Sequence, residues 1–215
     1  LKIRDSSKSV IIFGAGKGGA TVFETLDLGN EFEVVAFIDE NISGSFLGKP
    51  VYGLNELDKI LIKNVNKIFV AIANGKKRSL LGKTFEKKGF KLINAIHPNS
   101  YISPTTKIGN GNHIKAGAII DANTIIGSNN IIDNGVIIAH DNKIGDGCHL
   151  APGCALGSSI EINDFSILGI GSSISTRVKI GEGCIVLLNT SVTNDIEDNT
   201  LVEGVPGKTI GKTNI

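Results

Sequence analysis

The chain has no methionine, few aromatic residues (5%), three cysteines, four histidines and a net charge of only +1 over 215 residues. Each shortage closes a class of function. A near-neutral balance, with no basic run interleaved with aromatics, argues against a nucleic-acid groove and offers nothing to an anionic membrane surface. No apolar stretch approaches the roughly 18 residues that span a bilayer. The opening Leu-Lys-Ile-Arg-Asp-Ser-Ser-Lys has no signal-peptide core. A cytoplasmic protein is expected, and the missing Met, initiator included, points to a trimmed or partly recorded terminus. The spacing of Cys148 and Cys154 fits no zinc motif, so no metal is expected. The length allows two modest domains.

What is present is a repeat. Sixteen aliphatic residues recur every six positions from Ile102, through Ile138, Leu150 and Leu168, to Val192 without a slip. A period of six belongs neither to a helix nor to an ordinary strand. It marks a β-solenoid, in which each hexapeptide supplies one flat side and three sides close a triangular coil of about 18 residues. Positions two earlier face the same way along a strand. They are mostly small or apolar, as at Ala118, Val136, Cys148, Cys154 and Cys184. The cysteines therefore belong inside as small hydrophobes. Asn130 and Asn142 are exceptions that form an amide ladder or mark a looser corner. Ile119, Ile125, Ile131, Ile137 and Ile167 each precede an inward residue by one and face out. An apolar patch of that kind marks an interface, and a trimer is expected.

The first hundred residues follow another pattern. An apolar strand from Val10 runs into Gly14-Ala15-Gly16-Lys17-Gly18-Gly19, and then into a helical stretch through Thr21, Val22, Phe23 and Leu26. A second strand, Phe32 to Ile38, ends in Asp39-Glu40. Helices are expected from Asn55 to Ile62 and from Lys76 to Lys88, strands from Lys67 to Ala73 and from Phe90 to Ile93. Alternating β and α elements imply a small parallel sheet covered by helices, with ligands at the carboxyl ends of its strands. Gly14, Gly16 and Gly19 form G-x-G-x-x-G after a strand, which brings backbone N–H groups and a helix start toward a phosphate. Asp39 stands where it would accept from a ribose or base; the alternative is a tight turn beside a solvated strand end. Asn74-Gly75 and the cations Lys76, Lys77 and Arg78 follow the third strand, where they meet a diphosphate or form a solvated first helical turn. His97-Pro98 marks the junction, with domains over 1–97 and 98–215. A dehydrogenase would need a second nucleotide-binding half, and the chain becomes a solenoid instead.

Phase within the coil separates the remaining histidines. His113 and His149 each precede an inward residue by one and are expected on the surface of one side. His140 lies near a corner and is followed by Asp141. A histidine held by a carboxylate is suited to general-base work, although an exposed turn pair is more often only solvated.

Several segments together carry a family resemblance. They are the run from His140 to Gly153 (HDNKIGDGCHLAPG), the glycine turn with Asp39 on the next strand, the strand end at Asn74, and Gly204-Val205-Pro206-Gly207-Lys208. From about Val10 to Lys208 the chain resembles the hexapeptide-repeat sugar acetyltransferases, in the subfamily of sialic acid O-acetyltransferases and UDP-4-amino-sugar N-acetyltransferases. The resemblance implies a Rossmann-like domain that binds a nucleotide sugar, then a left-handed parallel β-helix that binds acetyl-CoA, in a homotrimer. It implies His140 as catalytic base, Asp141 as its acidic partner and His149 beside CoA. Gly14, Gly16, Lys17, Gly18, Asp39 and Asn74 would meet the substrate. Relatives often carry His in the glycine turn where this chain has Gly18. Backbone amides at Gly157 and Ser158, one coil above His140, are candidates to hold an oxyanion, and Lys208 and Lys212 to meet CoA phosphates. N-acetylation of an amino sugar is the leading expectation. O-acetylation and a non-catalytic scaffold are the rivals.

Overall fold

The computed structural model describes residues 7–57 and 65–214. The chain divides into two compact units, Leu1–Pro98 and Asn99–Ile215.

In the first unit the strands are β1 (Ser9–Phe13), β2 (Glu33–Ile38), β3 (Gly44–Phe46), β4 (Lys49–Tyr52), β5 (Lys67–Val70) and β6 (Lys91–Leu92). The helices are α1 (Lys17–Gly29) and α2 (Gly75–Lys87). The sheet order is β3-β4-β2-β1-β5-β6, parallel except for the β3–β4 hairpin. Alternation along β1 divides the core between the faces. Val10 and Ile12 pack with Val22 and Leu26 of α1, whereas Ile11 and Phe13 pack with Phe85 of α2. The chain leaves β1 toward β2 and returns on its other side at β5, so a topological switch point opens at the carboxyl end of β1.

Two details depart from expectation. The β3–β4 hairpin was not foreseen, because its turn places Leu47 and Gly48 at φ 49° and 73°. Such turns are normally announced by Asn or Asp, and Leu is a silent choice. Of the helix expected over Asn55 to Ile62, Leu54–Glu56 form a single 3₁₀ turn; from residue 58 it lies outside the described residues.

The second unit is the coil. Sixteen two-residue strands run from Tyr101–Ile102 to Ser191–Val192 and stack in three parallel sheets. The inward aliphatics are buried from Ile114 onward, with Ile102 and Ile108 packed partly buried against them. Each +3 position after an inward residue turns a corner, often in the left-handed region. Gly117, Asn123, Asn129, Gly135 and Asp141 all show φ near +60 to +72°, which glycine, asparagine and aspartate adopt most readily.

Asn130 resolves as a ladder. Its Nδ2 donates to Gly145 O, 15 residues on, and its Oδ1 accepts from Cys148 N, 18 residues on. Asn112 and Asn142 bridge coils in the same way. Ser166 does so with its hydroxyl. The thiols of Cys148 and Cys154 donate to the matching carbonyls of Asn163 and Gly169. All three cysteines are buried thiols.

The outward isoleucines do not form one contiguous patch. Tyr101, Ile119 and Ile137 share one side in consecutive coils, and Ile125 sits alone between Lys107 and Lys143 on another. Ile131 and Ile167 flank His149 on the third. Phase one before an inward residue fixes only that a side chain leaves the coil; position modulo 18 decides which side it leaves from. His113 is a second correction, for it is 3% exposed rather than a surface group. Its phase gives its direction and says nothing of what lies over it.

Candidate active site

At the switch point, the glycines have separable duties. Gly14 has φ 107°, and an added Cβ would stand 3.0 Å from Ala71 O. Gly19 packs so closely that a Cβ would come within 2.0 Å of Gly14 O, which locks helix α1 against the turn. Gly18 lies against the same Ala71 carbonyl, whereas the space over Gly16 is open. Gly16 is the N-cap of α1 and provides no side-chain cap. The free end of a helix dipole and an unobstructed backbone suit an anion. Lys17, exposed in the first turn, adds a cation.

Asp39 closes this turn from the side. Its Oδ2 accepts from Ala15 N at 2.8 Å, and its Oδ1 accepts from Asn41 N and Ile42 N at 2.8 and 3.1 Å. Burial works against its charge, but the N–H groups of Ala15, Asn41, Ile42 and Glu40 outweigh it and hold the carboxyl below the usual range. Asp39 thus ties the glycine turn to the loop after β2. Asn74 caps α2, its Oδ1 accepting from Lys77 N at 2.8 Å. Arg78 is not part of a solvated cationic turn. It is 1% exposed, and its Nη1 donates to Ile72 O and Ala73 O at 2.6 and 2.8 Å. The guanidinium holds the strand-end loop, a role that a run of three cations in sequence does not reveal.

In the coil, His140 and Asp141 meet as their adjacency allowed. Nδ1 lies 2.7 Å from Asp141 Oδ2, and the two side chains are 54% and 49% exposed. The hydrogen bond from His140, followed by one from Asn123, keeps the Asp141 carboxyl below its ordinary value. An ionised carboxylate only accepts, so Nδ1–H donates and Nε2 is left with its lone pair facing outward chemistry. Ser158 follows one coil above His140, and its N–H has no acceptor among the described residues. Gly157 cannot supply an oxyanion donor. Its N–H is spent on Ile174 O at 2.9 Å. The residue is glycine for packing, since a Cβ would lie 2.8 Å from Thr176 N.

His149 lies on a different side of the coil from His140 and has its own partner. Its Nε2 is 3.0 Å from Asp133 Oδ2, while Lys115 Nζ donates to Asp133 Oδ1 at 2.6 Å. Asp133 was missed. The signal was available, because Asp133 follows inward Ile132 as His149 precedes inward Leu150, and those two inward residues are ladder partners. Lys208 is exposed on the terminal hairpin, while Lys212 Nζ reaches Asp198 O and Thr200 Oγ1. No group of three or more His, Cys, Asp or Glu is arranged to hold a metal among the described residues. No described helix is long and apolar enough to cross a membrane. Burial pushes the Cys154 and Cys184 thiols up, which removes them as nucleophiles.

A Rossmann-like unit followed by a hexapeptide coil bearing an exposed His–Asp pair is the build of a sugar acyltransferase. The chain belongs to the PglD-type sugar acetyltransferases of the hexapeptide-repeat family, and its coil is a left-handed parallel β-helix. Residues 9–85 match the PglD N-terminal domain, and residues 123–158 match the bacterial transferase hexapeptide (six repeats). The chain is similar to perosamine N-acetyltransferase from Caulobacter crescentus, solved as a mutant in complex with CoA and GDP-perosamine. The identity is 34%, the match covers 95% of this chain and 97% of that one, and the TM-score is 0.91. It is also similar to the acetyltransferase domain of PglB from Neisseria gonorrhoeae, in complex with acetyl coenzyme A, at 28% identity. There the match covers 94% and 99% of the two chains, with a TM-score of 0.89. WeeI from Acinetobacter baumannii matches at 28% identity over the same shares, with a TM-score of 0.85. No curated protein matches the chain.

Proposed function

We propose that this enzyme transfers an acetyl group from acetyl-CoA to the amino group of a nucleotide-activated sugar, with His140 as general base. The observation that carries the reading is the His140–Asp141 pair, whose 2.7 Å hydrogen bond commits Nδ1 and leaves Nε2 as the proton acceptor. His140 Nε2 takes the proton that the acceptor nitrogen sheds as a carbon–sulfur bond is exchanged for carbon–nitrogen, and returns it to the departing sulfur, so that CoA leaves as the thiol. Acetyl-CoA supplies the activated acyl group. Ser158 N–H is a donor for its carbonyl oxygen, His149 lies on the acyl-donor side, and Lys208 is an exposed cation suited to a phosphate. These groups fit a thioester and a phosphorylated carrier, and the buried thiols leave direct attack on the donor as the route. Asp141 holds the ring and stabilises the imidazolium.

The first unit takes the nucleotide. Gly14, Gly16, Lys17, Gly18, Asp39 and Asn74 border its switch-point crevice. UDP attached to a 4-amino sugar is the leading acceptor from the family resemblance, and GDP is the second reading, carried by the relative solved with GDP-perosamine. The homotrimer is supported by the apolar strip Tyr101, Ile119 and Ile137, with Tyr101 56% exposed. The test is thiol release from acetyl-CoA in the presence of UDP- and GDP-linked 4-amino sugars and their 4-hydroxy counterparts. Acetylation confined to the amines supports the reading; turnover with the hydroxy sugars alone overturns it in favour of O-acetylation.

A further inference from the structure

The side of the coil that carries His149 holds a second, separate arrangement. Lys115, Asp133 and His149 come from three successive coils: Lys115 and Asp133 follow inward residues by one, and His149 precedes one. Their contacts form a chain, Lys115 Nζ to Asp133 Oδ1 at 2.6 Å and His149 Nε2 to Asp133 Oδ2 at 3.0 Å. The Asp133 side chain is 10% exposed, and those of Lys115 and His149 are 21% and 31% exposed. An acid this deep in the coil face, with each oxygen given to a different cation or ring, is more than a surface ion pair.

From this geometry we infer that Asp133 and Lys115 are positioning residues for His149: they fix its ring and its tautomer, so that Nε2–H is consumed and Nδ1 is the atom presented outward. A carboxylate accepts and cannot donate. The proton of a neutral His149 is therefore drawn to Nε2, and the lone pair stays on Nδ1. Lys115 keeps Asp133 charged and prevents its rotation away from the ring; burial opposes that charge, but the hydrogen bonds from His149 and Lys115 bring its pKa to about 2. His140 and His149 are thereby set in opposite tautomers. His140 donates from Nδ1 to Asp141 and offers Nε2, whereas His149 donates from Nε2 and offers Nδ1. An Nδ1 acceptor suits an N–H donor such as an amide of the acyl carrier. This consequence rests on the reading that places His149 on the acyl-donor side.

The experiment uses the full chain labelled with 15N-histidine, whose ring shifts report the tautomer, alongside steady-state kinetics with acetyl-CoA varied. Only four histidines need assignment, and His149→Gln identifies the relevant signal. The neutral wild-type ring is expected as the Nε2–H form. In Asp133→Asn the single amide oxygen is claimed by Lys115, the amide NH₂ faces His149, and the Nε2–H form loses its dominance. Asp133→Glu restores it in part. KM for acetyl-CoA rises roughly tenfold or more in Asp133→Asn, as for loss of a charge-assisted hydrogen bond, with kcat falling less. A folded Asp133→Asn protein that keeps the wild-type His149 spectrum overturns the inference. A changed spectrum with unchanged KM supports the clamp and overturns the acyl-donor reading of His149 instead.

Discussion

His140–Asp141 and His149–Asp133, two histidine–aspartate pairs of the coil, are built in opposite ways. His140 and Asp141 are neighbours in sequence, about half exposed and set at a corner by the left-handed backbone of Asp141. His149 and Asp133 are 16 residues apart and bridge two coils on a well-covered side, where Asp133 also binds Lys115. An exposed pair leaves its second nitrogen free to meet substrate and to relax between protonation states. A covered pair trades that freedom for a fixed orientation. The first arrangement suits a group that moves a proton, the second a group that holds a ligand still.

The largest effect is expected at His140. His140→Ala lowers kcat by roughly 10² to 10⁴ with acetyl-CoA affinity nearly intact, whereas His149→Ala acts mainly on KM for acetyl-CoA. Steady-state kinetics on both variants decides it, and a reversed pattern would exchange the two roles. Asp141→Asn costs less than His140→Ala, because it weakens orientation without deleting the proton acceptor.

Next is Asp39, where a single carboxylate serves three backbone N–H groups. Asp39→Ala is expected to weaken nucleotide-sugar binding by about 1 to 3 kcal/mol and to leave acetyl-CoA binding unchanged, as read by calorimetry. Equal loss of both ligands would make Asp39 a support of the whole fold.

The covered pair also predicts an acid response. The Asp133 carboxyl falls from an ordinary 3.8 to about 2 in the folded chain. A depressed carboxylate pKa gives stability that is full above the unfolded value and lost as pH falls through the folded one. The window therefore runs from about pH 4 down to about pH 2, and the contribution is about 2 kcal/mol. Urea midpoints measured across that window should fall for the wild type by more than for Asp133→Asn. Parallel curves would remove Asp133 as a source. Lys208→Ala, on an exposed hairpin, is expected to raise KM for acetyl-CoA only a few-fold, and less so at high salt.

The same contrast explains what could be foreseen. A strict period of six states which residues point inward, so the coil, its buried cysteines and the corner position of His140 were legible. An adjacent His–Asp pair needs no tertiary knowledge. Asp133 required one more step, the addition of an 18-residue turn to the phase, and that step also separates Ile119 and Ile137 from Ile125. The α/β unit was legible in the order of its main elements and in its glycine turn. Its polar residues were not, because Asp39, Asn74 and Arg78 spend their hydrogen bonds on the backbone that shapes the crevice. A residue type at a strand end suits a ligand and a loop equally well, and only the folded chain shows which loop needs it. Gly157 illustrates the reverse case, since its amide was assigned to chemistry but belongs to the ladder, and the absence of a side chain serves the coil above it.

The central claim is that Nε2 of His140 accepts the proton of the attacking amine. Its most direct test is kcat as a function of pH for wild type and a folded His140→Ala protein with one established amino-sugar acceptor. The expected defect is largest at low pH and shrinks as pH rises, because the amine then sheds its proton without help. A His140→Ala enzyme with near-normal turnover, or with a defect of constant size across the range, would contradict it.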